Sequence, residues 1–196
     1  MNRTLNTAQF QKLIRGNDLE FRITQYAFQL SAPSLFEGIV IPHDLNFKDC
    51  TFNELVFRNC KFHGNLNFTS SQLKALRFEG CQFRDVEITG CNIQEVSLSE
   101  SSQVRKFHIG ASYVNELLIN SNHIFEAIEV ACENNIVNAS IHDNGNSDLN
   151  SFKSTIYICP ERFDKISLKN NTSEILHVGT IGQYSFFEID NYNANL

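Results

Sequence analysis

From Leu45 to Val130 the chain is written in pairs of apolar or small residues, two positions apart, and the pairs recur every five or six residues. The series starts Leu45/Phe47, Cys50/Phe52, Leu55/Phe57, Cys60/Phe62 and repeats in that order to Ile128/Val130. Every fourth pair belongs to one column. The first column is Leu45, Leu66, Val86, Phe107 and Ile128, and the third is Leu55, Leu76, Val96 and Leu117. The second is Cys50, Ser71, Cys91 and Ser112, and the fourth is Cys60, Cys81, Ser102 and Asn122. Large residues keep to two columns and small ones to the other two.

A step of 20 or 21 residues within a column equals four short sides plus, usually, one corner residue. A side of five residues is too short for a helix, and two side chains two positions apart face the same way only in extended chain. A chain turning every five residues closes into a square coil, and successive coils stack at about 4.8 Å, the strand spacing. Backbone groups then pair with the coils above and below, and each coil depends on its neighbours for burial. The reading is an all-β, β-solenoid fold of four-sided coils of about 21 residues. Its structural core is Leu55, Leu76, Val96, Leu117, Phe47, Phe68, Cys60 and Cys81. The second member of each pair drifts from Phe to Ile, Leu or Val, which predicts ring stacking giving way to branched packing.

Segments such as Cys50-Thr51-Phe52-Asn53-Glu54, Cys60-Lys61-Phe62-His63-Gly64 and Cys81-Gln82-Phe83-Arg84-Asp85 resemble pentapeptide repeats. The resemblance covers about 45–130 well and about 156–189 loosely. It implies a right-handed quadrilateral β-helix. The chain departs from the family pattern by placing large residues on two of four faces and by its extra corner residue.

Residues 6–16 read as a short amphipathic N-terminal capping helix. Phe10, Leu13 and Ile14 share a face, Asn6 or Thr7 caps the start and Gly16 ends it. Such a cap covers apolar side chains and strand edges at the open end. A strand-like stretch, Phe21 to Leu30, and a first coil, Leu35 to Ile41, follow. The polar stretch Glu133 to Asn150 breaks the pattern and reads as a corner loop or insertion. A half-coil rhythm resumes at Ile156/Ile158, Ile166/Leu168, Leu176/Val178 and Phe187/Ile189. The organisation is one domain, 1–196. It comprises a cap and first coil (1–40), a regular solenoid (45–130), an irregular loop (131–155), and degenerate C-terminal coils with a cap (156–196). The tail, with Phe186, Phe187 and Tyr192, either caps the far end or pairs with another chain, as in a homodimer through the C-terminal end.

Composition narrows the function classes. A 42% hydrophobic content excludes disorder, and 23 asparagines suit a fold with many tight corners. The net charge of −6 disfavours direct nucleic-acid binding and anionic membrane. The acid excess lies in the C-terminal half. No stretch reaches the ~20 apolar residues of a membrane span, and residues 1–10 carry no signal peptide, so a cytoplasmic location is expected. The six cysteines are then expected to be reduced.

No catalytic, metal or cofactor site is expected. Cys50, Cys60, Cys81 and Cys91 fill the small inward position as buried thiols, without C-x-x-C spacing or a neighbouring histidine. His43, His63, His108, His123, His142 and His177 fall mostly at outward positions or in loops. The candidate binding residues are outward. Glu54, Glu95 and Glu116 share a corner interrupted by Ala75. Arg84 and Arg105 stack at another corner, beside Asp85 and Lys106. Tyr113 stands out as an outward aromatic, with Val56 and Leu118 as outward aliphatics.

The leading functional expectation is a non-enzymatic protein–protein interaction or scaffold module with an unknown protein partner. Gyrase-protecting relatives in the resembled family are acidic rods that imitate a DNA duplex, so an acidic DNA mimic acting on a DNA-binding enzyme such as gyrase is the alternative. The weak, uneven charge counts against it. A β-helix polysaccharide-binding or -processing protein is the third reading, with Asp143 and Asp148 as its carboxylates. Minimal coils count against that one.

Overall fold

The computed structural model describes residues 3–4, 8, 12, 14, 28–30, 33–100, 103–131, 133–144, 155–173, 175–179, 184–190 and 193–194. Those residues form an all-β parallel solenoid of about six turns. One long sheet runs through the strands Thr51–Arg58, Gln72–Glu79, Asn92–Ser99, Tyr113–Asn120, Asn135–His142, Arg162–Lys169 and Tyr184–Asp190. The other runs through Gln82–Thr89, Gln103–Gly110, His123–Val130, Thr155–Ile158 and Ile175–Val178, with shorter strands before them. All the strand pairings are parallel, which is what a chain winding in one sense requires.

The register realises the columns. Leu55 pairs with Leu76, Leu76 with Val96 and Val96 with Leu117, and all four side chains are fully buried. Leu45, Leu66, Val86, Phe107 and Ile128 are likewise successive partners. The first coil starts one residue earlier than the pattern suggests. Ser34 and Phe36 are its inward pair, opposite Leu55 and Phe57, and Leu35 faces out at 45% exposure.

Two kinds of corner close the coil. At one kind a residue takes the left-handed conformation, as at Gly38, Asp49, Asn59, Ser70, Gly80, Gly90, Glu100, Ala111, Ser121, Asp143 and Asn170. Most of these carry a Cβ, so the conformation has a steric cost. Hydrogen bonds between coils offset it. Asp49 N donates to Thr69 O (3.0 Å), Asn59 N to Glu79 O (2.8 Å) and Asp143 N to Lys169 O (2.9 Å). The other kind lies inside an eight-residue strand. In Thr51–Arg58 the inside/outside alternation slips at Asn53–Glu54, and the chain bends there without leaving the sheet.

Ring stacking holds the first coils. Phe57 lies between Phe36 (5.1 Å between ring centres) and Phe78 (5.6 Å), with both pairs stacked. Phe47 and Phe68 are 4.9 Å apart, and Phe62 and Phe83 4.8 Å. These spacings match the rise per coil, so one aromatic per coil fits each stack. Further along, Leu98, Ile119 and Ile141 continue the Phe78 column.

The span 131–155, expected as an irregular loop, is corrected at its centre. Asn135–His142 is a strand that continues the solenoid, with Leu117 opposite Ala139 and Ile119 opposite Ile141. The interruption lies after it. Ile128 pairs with Ile156 and Ala139 with Ile166, steps longer than one coil, and the surplus residues fall in 145–154, outside the described residues. The resumed rhythm is the alternation between sheets, with Ile156 and Leu176 in one and Ile166 and Phe187 in the other. Of the expected capping helix, only Ala8, Lys12 and Ile14 are described. They are helical, and Ile14 is buried. Asn6, Thr7, Phe10, Leu13 and Gly16 lie outside the described residues, as do Tyr192 and the side chains of Phe186 and Phe187.

One corner has no room for a side chain. A Cβ on Gly64 would come within 2.4 Å of the backbone of both His43 and Asp44. Backbone cannot swing aside, so Gly64→Ala is expected to destabilise the fold by about 2–3 kcal/mol, the upper range for overpacking. Chemical denaturation against the wild type checks this.

Candidate functional site

The interior is polar at its corners. In the second column Cys50 N donates to Ser71 Oγ (3.1 Å), Ser71 N to Cys91 Sγ (3.4 Å) and Cys91 N to Ser112 Oγ (3.0 Å). Ser112 N then donates to Asn134 Oδ1 (2.8 Å). The fourth column passes from Cys60 and Cys81 to Asn122, Asn144 and Asn171. The Asn144 amide donates to Ile119 O (2.7 Å) and Asn171 Oδ1 (3.0 Å), and its own Oδ1 accepts from Asn122 N and Nδ2 (both 3.1 Å). This buried asparagine ladder went unread in the sequence, although Asn122 at the end of the small column announces it. Ser102 lies outside the described residues.

Cys50, Cys60, Cys81, Cys91 and Cys159 are buried thiols. Cys60 Sγ donates to Phe36 O (3.4 Å) and Cys81 Sγ to Phe57 O (3.2 Å). A hydrogen bond to Cys60, together with burial, pushes the Cys81 thiol up, and burial pushes Cys91 up. Protonated thiols of this kind are poor nucleophiles and poor ligands. Among the described residues no three His, Cys, Asp or Glu side chains converge to hold a metal.

Outside, the charges are largely paired between coils. Arg77, unread in the sequence, bridges two of the candidate glutamates. Its Nη1 meets Glu54 Oε1, while Nε and Nη2 reach Glu95 Oε1 and Oε2 at 2.6 and 2.9 Å. Its guanidinium holds the Glu95 carboxyl below the usual carboxylate range. Glu116 instead accepts from Asn138 Nδ2 (2.7 Å). Arg105 spans Asp85 and Glu126, the latter at 3.0 Å. Arg84 is exposed and makes no ion pair among the described residues. The structure therefore joins Glu54 and Glu95 through Arg77, sets Glu116 beside Glu95 on the next coil, and places Arg84 and Arg105 on the other sheet.

Tyr113 is 46% exposed and borders a groove of about 210 Å³ with Asn135, Ile136, Val137, Arg162 and Asp164. The histidines are not uniformly outward. His43 is buried, and its backbone abuts the Gly64 corner. His142 Nε2 lies 3.1 Å from Ser167 Oγ and 3.2 Å from Ser140 Oγ, and Ser167 donates to Glu188 (3.1 Å), which pairs with Lys169 (3.0 Å). This chain joins three coils and had no signal in the sequence, since its contacts between coils span 19 or more residues. Asp143 is an exposed corner residue, and Asp148 lies outside the described residues.

The fold and these corners define a β-solenoid whose coils stack through small inward residues. Residues 34–105 match the family model described as "Pentapeptide repeat region", and the β-solenoid is consistent with that match. Proteins of that family are generally non-catalytic repeat proteins. Neither a curated protein nor a solved structure matches the chain.

Proposed function

We propose that the chain is a non-enzymatic scaffold that presents its outer faces to a protein partner in the cytoplasm. The observation that carries this reading is the filled interior. Among the described residues, inward positions from Phe36 to Leu168 are filled by stacked apolar side chains and by corner residues hydrogen-bonded between coils, so recognition falls to the outside. The groove at Tyr113 has the chemistry of an interface anchor. An exposed tyrosine stands two coils from exposed Arg162, and Tyr and Arg dominate interface hot spots. Tyr184–Asp190 is the outermost strand of its sheet among the described residues, and a second copy adding there makes a dimer. The five buried thiols favour a reducing compartment.

The charge pattern disfavours the DNA-mimic reading. Glu54, Glu79, Asp85, Glu95, Glu126 and Glu129 are all engaged by cations, which breaks up any negative strip. The test is affinity capture from native lysate with wild type and Tyr113→Ala in parallel. A partner held by the wild type and reduced roughly tenfold by the variant is expected, as for a hot-spot truncation. Identical capture by both proteins refutes the groove as anchor.

A further inference from the structure

A second groove, of about 290 Å³, lies on the outer face of the other sheet. Asn65 and Asn67 wall it on one coil, Asp85 and Glu87 on the next, and Lys106 and His108 on the third. Its hydrogen-bonding capacity is lopsided. Its two cationic side chains already face an acceptor. Lys106 Nζ and His108 Nδ1 both turn to Glu129 Oε2, at 2.9 and 3.1 Å. The His108 ring lies along Gly110, where a Cβ would stand 2.9 Å from Nε2, and that glycine leaves the ring its room. Asn67 Nδ2 donates to Asn46 Oδ1 (2.7 Å), which leaves the Asn67 carbonyl oxygen as an acceptor.

The acceptors are not committed. Asp85 Oδ2 pairs with Arg105, but Asp85 Oδ1 is buried and has no hydrogen-bond partner among the described residues. Glu87 accepts only from Thr89 Oγ1 (3.3 Å) and has no cation among the described residues. A buried acceptor without a donor calls for one, and a carboxylate beside it asks for positive charge.

We infer that this groove binds a primary alkylammonium group. Its acceptors sit on two coils, Asn67 on one and Asp85 and Glu87 on the next. A compact ammonium with three rotatable donors meets such a set better than a planar guanidinium fork does. Two sources carry this chemistry, a lysine side chain on a protein segment and a free polyamine. The site goes beyond the scaffold reading and stands whether or not a partner docks at Tyr113.

The test follows the backbone amide signals of Glu87 and His108 by NMR while trilysine, spermidine, Nε-acetylated trilysine and triarginine are titrated into the full chain. Trilysine or spermidine is expected to shift them saturably, and whichever binds identifies the source. Glu87→Gln keeps the bond from Thr89 and removes the charge, so it is expected to weaken binding roughly tenfold, the cost of losing one charge-assisted hydrogen bond. Glu161→Gln, an exposed control, leaves binding unchanged. Three results overturn the proposal: no saturable shift with either amine, equal binding of the acetylated peptide or triarginine, or full affinity in Glu87→Gln.

Discussion

Asn144→Leu is expected to destabilise the protein by about 3–5 kcal/mol, although it puts a larger apolar side chain into a buried position. The Asn144 amide donates to Ile119 O in the coil before it and to Asn171 Oδ1 in the coil after it, and its oxygen accepts from Asn122. Leucine removes all of these at once. Ile119 O and Asn122 N are left buried without that partner, and each such group costs about 1–3 kcal/mol. Apolar gain at a position already fully enclosed cannot repay two orphaned backbone groups. Asn144→Ser is expected to cost less, because the second column uses serine for the same task at Ser71 and Ser112. Urea unfolding of the three proteins separates the cases. A leucine variant as stable as the wild type would mean that the amide ladder contributes nothing net.

The same ladder marks where the sequence was legible and where it was not. The columns Leu55–Leu117 and Leu45–Ile128 were readable because large and small residues alternate at fixed spacing, and burial of one face leaves a periodic trace. Asn134, Asn144 and Asn171 left no such trace. Asparagine is also the commonest residue of polar turns, so the run 133–150 read as loop although Ile136, Ala139 and Ile141 keep the spacing of Val114, Leu117 and Ile119. Outward charges were read by columns, and Arg77 was missed because it stands two residues along the strand from Ala75, where the candidate strip was interrupted. Its reach to Glu54 and Glu95 crosses coils diagonally. His43 lies in a bend between strands and is nevertheless buried, a tertiary fact with no local signal. The groove at Asp85 and Glu87 was equally hidden, since which acceptors stay unengaged depends on where Lys106 and His108 turn.

Along its axis the solenoid changes its means of holding together, from ring stacks and thiols to branched aliphatics and amides. The aromatic end predicts the second large effect. Phe57→Ala is expected to cost about 3–5 kcal/mol, the range for deleting a buried aromatic ring. Phe57 is fully buried between the rings of Phe36 and Phe78 and meets Phe62 edge-on at 5.2 Å. Alanine therefore opens a cavity in the middle of a stack and breaks contacts in both directions. The parallel coils above and below are pinned by backbone hydrogen bonds, so collapse around the gap is limited. At about 2–4 °C per kcal/mol for a chain of this size, the midpoint should fall by roughly 6–20 °C. Phe57→Leu is expected to lose less than half as much, since Leu98 fills the same column two coils on. Because each coil leans only on its neighbours, hydrogen exchange should rise most in the strands Ser34–Glu37 and Thr51–Arg58 and least in Arg162–Lys169. Uniform acceleration along the whole chain would show instead that the solenoid unfolds as one cooperative unit.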